Sequence, residues 1–191
     1  TDYGLFPGIV GLIRDTRPEA EIGCAYTWPV IGCLYEQQAA NWNYRATEDR
    51  QLTDSICCYL HDKRPLFTFI SFAQPDGAGH QYGWESAEYQ AKCREIDAYV
   101  GRIVQTVRDT DLADKTAIIF TSDHGGTGKG HGGKTMLEME SPFVICGPGI
   151  KQGFHIEESV MVYDCAATIA HMLGIEIPQV WRGRPVDSIF E

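Results

Sequence analysis

Two short polar segments of the chain hold carboxylates, histidines and glycines at spacings that suit metal binding. The residues that could act as ligands are Asp76, His80, Asp123, His124 and His131. Carboxylate oxygens and imidazole nitrogens bind zinc at about 2 Å, and neighbouring glycines let the backbone turn tightly enough to aim several side chains inward. Two metal ions about 4 Å apart can stabilise both the attacking and the leaving oxygen of a phosphoryl transfer. Together the two segments indicate a hydrolytic metal site.

The second segment also permits another interpretation. Residues 128–135 read Gly-Lys-Gly-His-Gly-Gly-Lys-Thr and match the phosphate-binding P-loop pattern G-x-x-x-x-G-K-[ST]. That motif needs a strand directly before it and a helix directly after it. Here residues 123–127 intervene after the predicted strand, and Pro142 leaves little room for a helix beyond Thr135. We therefore favour the metal site, with Lys129 either a phosphate contact or a solvated surface lysine.

Both polar segments follow apolar runs of strand length, at residues 66–72 and 117–121. Such runs are typical of strands that are covered on both faces in a parallel sheet, and in open α/β sheets ligands bind at the carboxyl ends of strands. Further strands are predicted at 21–28 and 143–146, and helices at 6–13, 47–60, 89–107 and 163–173. The alternation predicts an α/β fold with a mostly parallel sheet flanked by helices, in a single domain over residues 1–191.

Composition narrows the choice of function. The formal net charge is −10 and no basic run offsets it, which argues against a nucleic-acid-binding platform. No segment approaches the roughly 20 apolar residues of a transmembrane helix, and no secretory signal opens the chain. The seven cysteines include no CxxC pair, which excludes a zinc ribbon or a thioredoxin-like motif. Whether any of them form disulfides, and the oligomeric state, remain open.

Taken in order, these segments resemble the alkaline phosphatase superfamily, most closely its type I phosphodiesterase and nucleotide pyrophosphatase branch. Pro75-Asp76 followed by Gly79-His80 and Gly83 resembles the first metal loop of that family, and residues 121–125, Thr-Ser-Asp-His-Gly, resemble the second. Residues 164–184 resemble the closing helix and turn. The resemblance covers residues 65 to 187 and implies an alkaline phosphatase-like core; sulfatases are more distant members.

The resemblance also implies a distribution of ligands between two divalent metal ions, expected to be zinc. Asp76, His80 and His131 would bind one ion, and Asp123 and His124 would contribute to the other. In many relatives the last histidine lies farther along, which makes His155 the alternative to His131, although its polar surroundings favour a surface role. Of the remaining histidines, His171 is expected to be structural and His61 to lie at the exposed end of a helix.

In this family a threonine or serine nucleophile and a further aspartate precede the matched region. Residues 3–7, Tyr-Gly-Leu-Phe-Pro, resemble the stretch that follows the nucleophile. The resemblance therefore implies that residues 1–191 are the carboxyl-terminal portion of a larger catalytic domain, that the catalytic nucleophile lies upstream, and that this chain alone is inactive. An exported or periplasmic parent protein would fit the same resemblance.

The implied activity is hydrolysis of a small-molecule phosphodiester or phosphomonoester through a covalent phospho-threonine or phospho-serine intermediate. One alternative is a sulfatase-like enzyme, a class that usually uses calcium and a modified cysteine or serine. Another is a non-catalytic metal-binding domain. Trp28 and Tyr35 are either pocket-lining or core aromatics.

Overall fold

The computed structural model describes residues 6–191, and within that range the chain forms six α-helices and five β-strands. The helices are α1 (Ile9–Thr16), α2 (Asp49–Lys63), α3 (Asp76–Tyr82), α4 (Ala87–Arg108), α5 (Met136–Met139) and α6 (Asp164–Met172). The strands are β1 (Ile22–Tyr26), β2 (Trp42–Arg45), β3 (Phe67–Ser71), β4 (Ile118–Thr121) and β5 (Phe143–Cys146). The α/β fold predicted from the sequence is confirmed. The part of Tyr3–Pro7 that precedes Phe6 lies outside the described residues.

The parallel sheet has the strand order β2-β1-β3 and is built around β1. Every residue of β1 is buried, as a central strand covered on both faces requires. The ring of Tyr59 occupies the space that a side chain at position 23 would take, so this position requires glycine. The Tyr59 hydroxyl donates to Glu21 Oε1 at 2.9 Å, which joins α2 to the start of β1.

Helices α2 and α4 pack against each other and form one hydrophobic cluster with the sheet. Leu52, Ile56 and Leu60 of α2 are buried there together with Val107 of α4. Their spacing of four residues places the α2 side chains on one face of the helix. A second cluster lies on α1 and α6 and includes Val10 and Ile13.

The remaining two strands, β4 and β5, form a separate antiparallel pair in which Phe120 lies opposite Val144. Both side chains point to the same face, and they are 43% and 58% exposed. Phe69 of β3 is also exposed. The prediction that the runs at 66–72 and 117–121 are covered on both faces is therefore wrong, because within residues 6–191 the sheet is divided and one face of β4–β5 stays open.

Several local predictions also need correction. Helix α2 begins at Asp49 rather than Thr47, and no side chain within residues 6–191 caps its amino terminus. Thr47 instead contacts the side chain of Gln51, while Asp49 accepts a hydrogen bond from the Thr27 hydroxyl at 2.8 Å.

The aromatic residues near the start of the chain also differ from prediction. Phe6, predicted to lie in the first helix, is exposed and precedes α1. Trp28 is exposed rather than in the core, whereas Tyr35 packs against the cluster on α1 and α6.

All seven cysteines are free thiols, and burial raises the pKa of Cys24 to about 11. Among the described residues, no helix has both the length and the apolar character that crossing a membrane requires.

The packing of α2 leads to a first prediction. Ile56 is fully buried, so Ile56→Ala leaves a cavity and should lower the free energy of unfolding by about 2–5 kcal/mol, measured by urea denaturation. Arg50 is exposed on the same helix, and Arg50→Ala should change that free energy by less than about 0.5 kcal/mol. Equal effects of the two substitutions would contradict the proposed packing.

Candidate metal centre

The first polar segment forms the short helix α3, where the sequence indicated only a loop. Gly77 and Gly79 lower the helix propensity of this segment, which is why its helical form was missed. The helix nevertheless forms, and the Gln74 side chain accepts a hydrogen bond from the Ala78 N–H at 3.0 Å near its start. Asp76 and His80 lie four residues apart on α3, so both side chains point from the same face.

The second polar segment brings His131 to that face. One ligand atom from each of Asp76, His80 and His131 lies within 4.8 Å of the other two. Asp76 Oδ1 is 3.5 Å from His80 Nε2 and 3.6 Å from His131 Nε2. Tetrahedral zinc with bonds of 2.0–2.1 Å separates its ligand atoms by about 3.4 Å. These two separations therefore fit a shared ion of that size.

The Asp76 carboxylate provides an independent test of the fit. Its Oδ1 atom is buried and has no hydrogen-bond partner among residues 6–191. A buried polar atom without a partner costs free energy, and a charged oxygen costs more than a neutral one. A cation between Asp76 and the two histidines would satisfy this atom, so the donor set fits a divalent metal ion.

Backbone carbonyls set the tautomers of two histidines. His80 Nδ1 lies 3.0 Å from the Lys129 carbonyl oxygen, and His124 Nδ1 lies 2.7 Å from that of Gly125. A carbonyl oxygen can only accept, so each Nδ1 carries the proton and each neutral ring keeps its lone pair on Nε2. For His80 this is the nitrogen that faces Asp76. A ring nitrogen held in this way is typical of metal-binding histidines.

The other predicted ligands, Asp123 and His124, lie directly beside this cluster. The ring of His124 stacks on that of His131 with centroids 3.7 Å apart. His124 Nε2 is 3.5 Å from Asp123 Oδ2, and the Asp123 side chain is 76% exposed. The structure thus brings ligand atoms of Asp76, His80 and His131 close together, and places His124, with Asp123 next to it, against His131. The contribution of Asp123 and His124 to a second metal ion stays a prediction.

Glycine torsions and one glutamate shape the loop that carries His131. Gly128 and Gly132 adopt positive φ values of 55° and 95°, which residues with a side chain rarely tolerate. After the loop, Glu138 accepts hydrogen bonds from the Gly133 N–H at 2.8 Å and from the Thr135 hydroxyl at 2.6 Å. The bonds from Thr135 and then Gly133 hold the pKa of Glu138 below its usual value. Thr135 and Glu138 form a capping box for α5.

The same geometry is at odds with a P-loop. Thr127 and Gly130 pair with each other in a tight turn, and the helix after Thr135 has only four residues. A P-loop needs a strand directly before the glycine-rich loop and a helix directly after it.

The remaining candidates lie outside the cluster. Lys129 is exposed, and its ammonium donates to the Gln81 carbonyl oxygen at 3.0 Å. His155 is exposed, and His61 lies in the last turn of α2, as expected. His171 is exposed with its ring 4.9 Å from that of Phe190, so it packs at the surface rather than inside the core.

Sequence reasoning missed the aromatic residue that joins the two polar segments, Trp84. Its ring lies where a Cβ on Gly79 or on Gly126 would be, at 2.7 Å and 2.1 Å. The sequence signal that could have revealed this contact is a tryptophan that lies between two glycine-containing segments. The ring of Tyr89 lies 5.8 Å from that of Trp84. Burial raises the pKa of Tyr89 to about 12, with smaller contributions from Cys93 and Asp76, so its phenol stays neutral.

These features belong to a known class. The family model for type I phosphodiesterase / nucleotide pyrophosphatase matches residues 25–143. That range is more than half of the chain and contains all five predicted metal ligands. The chain therefore belongs to the type I phosphodiesterase / nucleotide pyrophosphatase family, within the alkaline phosphatase superfamily.

The chain is also similar to sulfatases, both in sequence and in structure. Arylsulfatase K of Homo sapiens is 35% identical over 102 residues, which cover 51% of this chain and 19% of that protein. The structure of a 2-O GAG sulfatase matches 95% of this chain and 55% of its own, with a TM-score of 0.74 and 15% identity. A protein of Bacteroides thetaiotaomicron described as a sulfatase matches 96% of this chain and 56% of its own, with a TM-score of 0.71 and 14% identity. The two structures show a common fold. The chain spans about a fifth of the arylsulfatase K length.

The geometry of the cluster predicts that zinc stabilises the chain. At a zinc concentration 100 times the dissociation constant, binding should add about 2.7 kcal/mol to the free energy of unfolding, seen as a higher Tm in a thermal scan. Asp76→Asn and His80→Ala should each remove most of this gain, because each deletes a ligand.

His155→Ala is the matched control, since His155 is exposed and was the alternative to His131. It should leave the zinc-induced gain unchanged. Loss of the gain in His155→Ala, with retention in His80→Ala, would contradict the assignment of the cluster.

Proposed function

We propose that this chain carries the metal-binding part of a hydrolase that cleaves phosphodiesters or phosphomonoesters. The observation that carries the proposal is the Asp76–His80–His131 cluster. In it, a buried carboxylate oxygen that has no hydrogen-bond partner within the described residues faces two imidazole nitrogens. Membership of the type I phosphodiesterase family and the metal dependence of its superfamily support it. We further propose that the ligands serve two zinc ions, with Asp123 and His124 contributing to the second.

The chain's own residues would prepare the site for a metal ion and a substrate. Asp76 supplies a negative charge, and the Lys129 carbonyl keeps the His80 lone pair on Nε2. A divalent ion bound there would supply Lewis-acid polarisation of an ester oxygen. Lys129 lies at the rim of the cluster, where its ammonium could contact the substrate if its hydrogen bond to the Gln81 carbonyl were exchanged.

We also propose that polypeptide outside residues 1–191 supplies the threonine or serine nucleophile and a further aspartate. Two observations support this part of the proposal. The solved sulfatases that share the fold are covered over only 55–56% of their length, and the Phe120–Val144 face of β4–β5 is open within the described residues. The chain would then be the carboxyl-terminal portion of a larger catalytic domain in an exported parent protein.

A second candidate is sulfuric ester hydrolysis, because the curated relatives are named arylsulfatase K. The donor set argues for the first candidate. Calcium, the ion expected of a sulfatase, takes six to eight oxygen ligands, whereas the cluster offers two imidazole nitrogens and one carboxylate. Nitrogen donors favour zinc over calcium.

The proposal predicts no turnover by the 191-residue chain. With zinc present, the purified chain should not hydrolyse bis(p-nitrophenyl) phosphate above the rate of the His80→Ala variant. A longer form that includes the nucleophile should hydrolyse this diester with zinc faster than it hydrolyses p-nitrophenyl sulfate with calcium.

Two results would count against the proposal. Zinc-dependent hydrolysis by the 191-residue chain, abolished in His80→Ala, would show that no outside nucleophile is needed. A preference of the longer form for the aryl sulfate would favour the sulfatase candidate.

A further inference from the structure

The turn between α3 and α4 lies against the loop that carries His131. The backbone N–H of Trp84 donates to the Gly128 carbonyl oxygen at 2.8 Å. Glu85 Oε1 lies 3.4 Å from both the Gly128 N–H and the Thr127 hydroxyl. Residues 83–85 and their contacts with residues 127–129 are called the clasp below.

The Trp84 ring forms the apolar half of the clasp. It packs between two glycines, Gly79 of α3 and Gly126 of the second segment, and a side chain on either glycine would collide with it. Nine-tenths of real Cβ contacts are longer than 3.4 Å, so the distances of 2.7 Å and 2.1 Å leave no room for alanine without movement of the ring. The clasp therefore sets the distance between the two segments.

The Trp84 ring also touches the ligands. Its centroid lies 5.3 Å from that of His80 and 5.9 Å from that of His131, both in edge-on orientation. His80 comes from α3 and His131 from the glycine-rich loop. Because these residues are distant in sequence, packing contacts must bring their rings together. The Lys129 carbonyl that fixes the His80 tautomer belongs to the same clasped loop.

We infer that Trp84 is a positioning residue, which holds the Asp76–His80 face of α3 and His131 at metal-binding distance before any metal arrives. The inference rests on the proposed metal site. Because the clasp is built entirely from residues of this chain, the three-ligand cluster is preorganised without further polypeptide. Mutation of residues that orient metal ligands through contacts with them typically lowers metal affinity by about 10–100-fold.

The test is a calorimetric zinc titration of the 191-residue chain and its variants. Trp84→Ala should weaken zinc binding by about 10–100-fold, and Trp84→Phe, which keeps a ring between the glycines, should weaken it less. Trp28→Ala removes an exposed tryptophan and should leave the affinity unchanged. Urea denaturation of each variant in the same buffer gives the folded fraction.

Glu85→Ala provides a variant that should fold, because Glu85 is exposed. It should weaken zinc binding, whereas Glu88→Ala, which removes an exposed carboxylate from the first turn of α4, should not. Unchanged affinity in both Trp84→Ala and Glu85→Ala would overturn the inference. The inference would also be overturned if the unfolded fraction of Trp84→Ala fully accounts for its weaker apparent zinc affinity. Trp84 would then serve stability alone.

The proposed metal site and the clasp fail in different ways. If His80→Ala binds zinc as tightly as the wild type, the cluster is not the metal site. If His80→Ala loses zinc while the clasp variants keep it, the metal site stands and the positioning role of Trp84 does not.

Discussion

The arrangement of the site depends on one carboxylate oxygen, Asp76 Oδ1, which is buried and finds no hydrogen-bond partner in the part of the chain that the structure describes. Folding normally pairs such atoms because an unpaired one costs free energy. Here the groups that face it are His80 and His131, at 3.5 and 3.6 Å, a spacing too long for good hydrogen bonds and suited to a shared cation. Helix α3, the glycine-rich loop and the Trp84 contacts are the means by which the chain holds this arrangement.

The sequence was sufficient for the elements with clear periodicity. The apolar run before Asp76 is a strand, the stripe from Tyr89 to Val107 is one helix, and the strand–helix alternation gives the α/β fold. The candidate ligand residues could be picked out as well, because few residue types bind metals and their order along the chain resembles one family; their binding of metal stays a prediction. Their convergence followed from the rule that the carboxyl ends of strands carry the ligands.

Other features depend on contacts between distant residues, which local patterns do not encode. The glycines in α3 lower helix propensity, yet Gly79 leaves the space that the Trp84 ring occupies, and Gly77 leaves space for the side chain of Gln74. The antiparallel pairing of β4 and β5 depends on register, and apolar composition alone suggested that both strands were covered. The exposed Phe120 and Val144 show where that reasoning failed. Trp84 has no motif of its own and could be found only from its packing.

The most direct test of the central claim is a crystal structure of the chain grown with zinc, with anomalous scattering measured on both sides of the zinc absorption edge. We expect an anomalous peak about 2.0–2.2 Å from a carboxylate oxygen of Asp76 and from Nε2 of both His80 and His131. A zinc peak at His155 instead, or density showing the three side chains turned away from one another with no ion between them, would contradict it.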